Sequence, residues 1–223
     1  MNDRSARYLE VSFSRLAGFI GARRKPGQPL LVGIDGMSAS GKSTFSGLLG
    51  KAMAGANVAN CIIPMDDLFS PELHGRVKES LYPGFDMEWI KSGIISPLKN
   101  GEMVKFRRYD HINKTMAEVR EIPANLIIIF EGVFTTGHIL GGYLDLRIWL
   151  DCPRDTILER GEKRSGEPRS SWERKWLPAE DAYIARENPS AASDLVVDST
   201  WQRSSMFRAT LIRNTSLSKW LKA

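Results

Sequence analysis

Eight consecutive residues, Gly36-Met37-Ser38-Ala39-Ser40-Gly41-Lys42-Ser43, constrain the fold more than any other feature of this chain. They satisfy G-x-x-x-x-G-K-[ST], follow the apolar run 30–35 (LLVGID) and open a helical stretch over 42–54. That is the strand, loop and helix setting of a phosphate-binding P-loop. Its glycines let backbone N–H groups wrap phosphate without a Cβ in the way, at a helix N-terminus whose partial positive charge favours anions. Gly36, Ser38, Ala39, Ser40, Gly41, Lys42, Ser43 and Thr44 are therefore the candidate residues for binding a nucleoside triphosphate. Lys42 is placed to reach the β- and γ-phosphates, and Ser43 to offer its hydroxyl to Mg²⁺.

Further short apolar runs at 58–65, 126–130, 146–150 and 195–198 suit strands buried on both faces of a parallel sheet. Helical stretches at 154–164 and 172–186 alternate with them, as in an α/β fold. The spacing of Leu9, Phe13, Leu16 and Ile20 predicts a leading helix within residues 1–28. The body is then 29–198, and 199–223 is read as a helical tail. Two segments interrupt the alternation and look like covers over a site. Residues 69–120 hold a predicted helix around 88–95, ended by Pro97, and two hairpin arms at 103–109 and 117–122; residues 165–171 (SGEPRSS) are too rich in Gly, Pro and Ser for a helix and suit a mobile lid.

Composition narrows the classes. With 42% hydrophobic and 26% charged residues the chain is neither disordered nor fibrous. Its longest apolar run, 126–130, is far short of the roughly 20 residues that span a bilayer, and no apolar leader precedes the body, so a cytoplasmic protein without membrane contact is expected. Cys61 and Cys152 form no CxxC or Cys/His cluster, which argues against a disulfide framework or structural zinc. The net charge of +5 is carried by basic ends around an acidic body, a pattern more often a solvated face than a nucleic-acid surface. A homo-oligomer is left open.

A P-loop leaves the fate of the γ-phosphate open, so other residues must decide it. The run 126–130 ends in Glu131, where a Mg²⁺-ordering carboxylate would stand beside the loop. The run ending at Met65 delivers Asp66 and Asp67; a carboxylate there can take the proton of an acceptor hydroxyl, and Asp66 is expected to act with Asp67 in support. Arg160 and Arg164 lie one helical turn apart just before the lid, with Arg169 inside it, and could neutralise charge on the transferring phosphoryl group or pair with nearby glutamates. Phe85, Asp86, Tyr109, Asp110 and His111 supply rings and acceptors for a sugar or base, with His111 itself read as structural.

With GIDGMSASGKST (33–44), MDDLF (65–69), GFDMEWI (84–90), RRYDH (107–111), IIIFEGVF (127–134) and LDCPRDTILER (150–160), residues 30–198 resemble the uridine kinase family of P-loop phosphotransferases, relatives of phosphoribulokinase and pantothenate kinase. The resemblance implies a P-loop NTPase fold with a five-stranded parallel sheet, helices on both faces and the P-loop strand central. It implies ATP-dependent transfer to a small-molecule alcohol, with Asp66 as catalytic aspartate, Lys42 and Ser43 on phosphate and Mg²⁺, Glu131 as the strand-end glutamate, and Arg160 and Arg164 beside the lid. Asp86, Tyr109 and Arg169 fall in the acceptor-binding set. Two departures stand in that set: 79–82 (ESLY) replaces a Phe-Asp-His-Pro run, and Lys114 stands where uridine kinases place a histidine. A nucleoside is the leading acceptor class, uridine itself is expected to be a poor substrate, and another alcohol (sugar, sugar phosphate, pantothenate) or a regulatory ATPase are the alternatives.

Overall fold

A computed structural model describes residues 8–73, 81–211, 217, 220 and 221. Of the segment 79–82, Glu79 and Ser80 lie outside the described residues. In chain order the first elements are β1 (Leu9–Ser12), α1 (Phe13–Arg23), β2 (Leu30–Gly36), α2 (Lys42–Gly55) and β3 (Asn60–Pro64), which leads into a 3₁₀ turn, Met65–Leu68. Then α3 (Met87–Trp89) passes through a π turn, Ile90–Ile95, into α4 (Ser96–Lys99), followed by the arms β4 (Val104–Asp110) and β5 (Thr115–Ile122). The remainder is β6 (Ile127–Glu131), α5 (His138–Gly141), β7 (Leu146–Asp151), α6 (Arg154–Ser165), α7 (Arg169–Lys175), α8 (Leu177–Glu187), α9 (Pro189–Ala192), β8 (Leu195–Gln202) and β9 (Met206–Leu211).

The main sheet runs β1-β9-β8-β7-β2-β6-β3. The five strands from β8 to β3 are mutually parallel with β2 in the middle, as the runs of apolar residues imply. Every residue of β2 and β6 is buried, because helices cover both faces and leave no solvated side for polar alternation. One face packs α1 and α2 around Phe13, Phe45 and Phe207, whose ring centroids lie 5.0–5.1 Å apart. The other buries Ile90, Ile94, Leu98, Phe130, Trp149 and Tyr183.

Two antiparallel strands extend this sheet where helix was expected. β1 pairs with β9, and β9 with β8. Leu9 thus belongs to a strand, and α1 starts only at Phe13 because the Ser12 hydroxyl accepts from the Arg15 N–H at 3.1 Å and caps the helix there. In the supposed tail, Phe207 and Ala209 are buried while their neighbours are less so, a period of two that fits a strand. Pro97 does not end its helix either: it sits in the first turn of α4, where no N–H is needed, and the chain continues helical to Lys99. The lid is shorter than expected. α6 closes on Gly166 (φ +70°) with its N–H on the Glu162 carbonyl, and α7 begins at Arg169, so only residues 166–168 are irregular. The predicted helix over 172–186 breaks at Trp176, ahead of Pro178 in the first turn of α8.

In a sheet of this order the chain turns in opposite directions on the two sides of β2, and ligands gather beyond the carboxyl ends of the strands at that point. The P-loop after β2, Asp66 after β3 and Glu131 at the end of β6 all arrive at this edge.

Candidate active site

The loop after β2 is held in shape by its own groups. A Cβ on Gly36 (φ +151°) would lie 2.8 Å from the Leu150 carbonyl oxygen, so the close crossing of β7 requires glycine. Gly41 (φ +100°) begins α2 in the left-handed region. Lys42 is buried, and its Nζ donates to the carbonyls of Gly36 and Met37, both at 2.8 Å. The ammonium is thereby held beneath the loop whose amides would face phosphate. Ser43 Oγ donates to Glu131 Oε1 at 3.0 Å, bringing the two candidate Mg²⁺ ligands into contact. Burial pushes the Glu131 carboxyl above its usual range, opposed by Lys42 and the Ser43 hydrogen bond. A hydroxyl and a carboxylate, both hard oxygen donors, suit Mg²⁺.

Two cavities meet at this loop. The larger, about 730 Å³, is lined by Ala39, Gly41 to Thr44, Arg160, Arg164 and the turn between β8 and β9. The second, about 390 Å³, is lined by Ser38, Asp66, Phe69, Phe85, His111, Phe134, Arg164, Trp172, Trp176 and Glu180 among others. Arg164 borders both, and its guanidinium lies 5.4 Å from the centroid of the Trp172 ring. Arg160 donates to the carbonyls of Ser40 (3.3 Å) and Ser199 (3.0 Å), tying α6 to the loop and to β8.

The tandem aspartates are separated by their partners. Asp67 Oδ2 accepts from Arg120 Nη1 at 2.6 Å, and the same guanidinium donates to the Ile62 carbonyl at 3.0 Å. Asp66 instead faces the second cavity. His111 Nε2–H donates to the Asp66 carbonyl at 3.0 Å and steadies the turn that carries the aspartate. Gly132 lets that turn approach β6, since a Cβ there would lie 2.4 Å from Met65 Cβ.

The other acceptor-side candidates stand apart from the cavity lining. Asp86 accepts from the Trp89 N–H at 2.9 Å as the N-cap of α3. Tyr109 is buried, packed edge-on against His111 at 4.7 Å and tilted against Phe69 at 5.2 Å, so it backs the cavity wall. Arg169 is an exposed partner of Glu162 at 3.5 Å. Lys114 (φ +51°) occupies the tip of the β4–β5 hairpin.

Sequence reasoning passed over a set of buried polar residues. Asp35 is fully buried and accepts from the Tyr183 hydroxyl (2.7 Å), from the N–H and hydroxyl of Thr136 (2.8 and 2.9 Å), and from the Gly36 N–H (2.7 Å). Burial raises its carboxyl above the usual range despite those bonds. Glu180, also buried, accepts from the Ser38 N–H at 2.8 Å and from its hydroxyl at 2.5 Å. The available signal was the spacing of Glu180, Tyr183 and Glu187, which places them along one face of α8.

A family model described as the phosphoribulokinase / uridine kinase family matches residues 31–171. A uridine kinase of Staphylococcus aureus (strain JH9) is 26% identical over 169 residues, covering 69% of this chain and 81% of that protein. Among solved structures, a possible uridine kinase from Bacillus stearothermophilus superposes with a TM-score of 0.66 at 24% identity, covering 82% of this chain and 96% of that one. A candidate fructose transport system kinase from a Silicibacter species gives 0.67 at 23% identity, over 78% and 95%. These structural likenesses concern the fold. No helix among the described residues is long and apolar enough to cross a membrane.

Proposed function

The chain belongs to the phosphoribulokinase / uridine kinase family of P-loop small-molecule kinases, and from that premise we propose that it transfers the γ-phosphoryl group of ATP to a hydroxyl of a nucleoside-sized acceptor held in the second cavity. The observation that carries this reading is the placement of Asp66: it is free of the ion pair that occupies Asp67, and it lines a cavity sharing Arg164 with the P-loop cavity. ATP lies along the loop, its phosphates met by the amides of residues 38–44 and by Lys42. Ser43 and Glu131, already in contact, would hold Mg²⁺, which would supply positive charge to offset that of the phosphates. Asp66 orients the acceptor hydroxyl and takes its proton as the new P–O bond forms. Arg164, and Arg160 once it gives up the Ser40 carbonyl, neutralise charge on the transferring group. Phosphoryl transfer of this kind rests on positioning and charge compensation more than on proton transfer. The closed arrangement of α6 and α7, with Trp172 packed under Gly161, helps exclude water.

The aromatic wall of Phe69, Phe85, Phe134, Trp172 and Trp176 favours an acceptor with a flat face, which supports a nucleoside. A free sugar is the second reading, favoured by the carboxylates of Asp66 and Glu167 on the same cavity as Trp172 and Trp176. Uridine itself is expected to be used poorly, given the departures at 79–82 and Lys114. An ADP-release assay over nucleosides, sugars, sugar phosphates and pantothenate tests the proposal. Turnover that depends on a neutral ring-bearing alcohol supports it. ADP release indifferent to every acceptor would refute the kinase reading, and efficient uridine phosphorylation would show that the departures carry no weight.

A further inference from the structure

The transferred phosphoryl group must sit where the two cavities meet, and one residue of the P-loop lies on the acceptor side of that boundary. Ala39, Gly41, Lys42, Ser43 and Thr44 line the nucleotide cavity, whereas Ser38 lines the cavity of Asp66. Its N–H and hydroxyl belong to the loop residue that borders the Asp66 cavity, and they are already occupied. Both are taken by the carboxylate of Glu180, which comes from α8, 142 residues further along the chain. Glu180 is only 4% exposed and shows no ion pair among the described residues; burial raises its carboxyl above the usual range, opposed by the two Ser38 hydrogen bonds and by nearby Lys42.

An anion held by a P-loop amide is a stand-in for phosphate. A buried carboxylate and an incoming γ-phosphate cannot share the donors of Ser38, because like charges at such range repel strongly where water is scarce. We propose that Glu180 is a latch on the P-loop, displaced by the γ-phosphate of ATP and left in place by ADP. The inference rests on the reading of the loop as an ATP site.

The rest of α8 shows what the latch would release. Tyr183 donates to Asp35 at the base of the loop, and Glu187 accepts from the hydroxyl of Tyr82 in the acceptor-covering segment and from the His138 N–H at 2.6 Å. One helix face therefore clasps the P-loop at one end and the acceptor cover at the other. The N-terminal end of α8, where Glu180 sits, adjoins α7 of the lid through Trp176. Displacing Glu180 frees that end alone, so a bound γ-phosphate releases the lid to settle over it while Tyr183 and Glu187 keep the helix anchored. Glu180 is a positioning residue in this scheme, acting on nucleotide preference and lid state rather than on the reacting atoms.

The test is calorimetric titration of the full chain with the β,γ-imido analogue of ATP and with ADP, each with excess Mg²⁺. Glu180→Gln keeps an oxygen that can accept from Ser38 but removes the charge, so it should bind the analogue about tenfold more tightly while ADP affinity stays within about twofold. Glu180→Asp keeps the charge and should retain the wild-type ratio between the two nucleotides. A purely structural role would lower thermal stability in Glu180→Gln and leave the ratio unmoved, and that result overturns the proposal. So does weaker binding of the analogue. Should Glu180→Gln not fold, Ser38→Ala removes the hydroxyl half of the latch and leaves α8 intact; it should shift the ratio in the same direction by about threefold, and no shift overturns the latch. Absence of ADP binding to the wild type would overturn the nucleotide reading itself, whereas equal shifts for both nucleotides would overturn the latch alone.

Discussion

Replacing each member of the Asp66-Asp67 pair by asparagine should give opposite phenotypes, although the residues are adjacent and chemically identical. Asp66→Asn preserves shape but cannot accept the proton of the acceptor hydroxyl. General-base assistance contributes about 10²–10⁴ in rate, and a loose phosphoryl-transfer transition state places this enzyme at the lower end, so kcat should fall roughly 10²-fold, about 2.7 kcal/mol of barrier. ATP affinity should hold, because Asp66 lies on the acceptor cavity and outside the P-loop cavity. Asp67→Asn has a different target. It removes the charge from a pair held at 2.6 Å whose side chains are only 25% and 15% exposed, so solvent screens little of it. A charge-assisted hydrogen bond in such a place contributes about 1.5–3 kcal/mol, and the loss is softened because Arg120 keeps the Ile62 carbonyl. At about 2–4 °C per kcal/mol for a chain of this size, Tm should drop by roughly 3–10 °C while kcat stays within about fivefold of wild type. Coupled ADP-release kinetics with the best acceptor from the screen, ATP titration and thermal melts measure all three quantities. An Asp66→Asn enzyme retaining more than about a third of wild-type kcat, or an Asp67→Asn enzyme slowed as severely as Asp66→Asn is expected to be, would refute the assignment of the base.

Lys42→Ala should abolish turnover and weaken ATP binding, with a loss of about 1–3 kcal/mol in stability because the Gly36 and Met37 carbonyls lose their buried donor; near-normal turnover would mean the motif is decorative. Glu131→Gln should raise the Mg²⁺ concentration for half-maximal rate by about tenfold or more, read from a Mg²⁺ titration at saturating ATP, because a neutral amide is a far poorer ligand than a carboxylate. Gly132→Ala should destabilise by about 1–3 kcal/mol in urea denaturation and lower kcat as well, because the new Cβ would push Met65 and with it the Asp66 turn. Tyr183→Phe should cost about 1.5–3 kcal/mol of stability through the lost bond to Asp35 while leaving ATP affinity nearly unchanged, again read by denaturant titration.

What the sequence made legible is what local chemistry dictates. The two central strands β2 and β6 are buried on both faces, so their apolar runs stand out, and the P-loop spacing sits where a helix must begin. β1 was missed because it is short and gains its hydrogen bonds from a partner far along the chain: Leu9 faces Ala209 and Ser12 faces Met206. β9 pairs with that distant strand on one side and, across the turn 203–205, with its neighbour β8 on the other. A four-residue strand running straight into a helix carries the helix's periodicity more plainly than its own. The same limit explains the helix around Pro97. The π turn over Ile90–Ile95 shifts the hydrogen-bond ladder so that proline falls in a first turn, and nothing in residues 88–97 announces that shift.

At the site, Lys42, Ser43, Glu131 and Asp66, whose places follow from their positions relative to a strand end, converge on one edge. The residues whose surroundings the sequence does not announce owe their places to tertiary packing. His111 meets the Asp66 carbonyl only because the β4–β5 hairpin folds back over the 3₁₀ turn, while Tyr109, two residues earlier on the same arm, is turned into the wall behind it. Glu180 had no motif to mark it, and on a helix whose next residue is Asp181 it reads as ordinary surface charge. Burial distinguishes the two acids: Glu180 is enclosed against Ser38, whereas Asp181 is half-exposed and pairs with Arg154. A carboxylate is kept from water only where donors replace its hydration shell. The donors it has found belong to the loop built to hold phosphate, and the nucleotide must therefore compete with the protein's own anion before it can react.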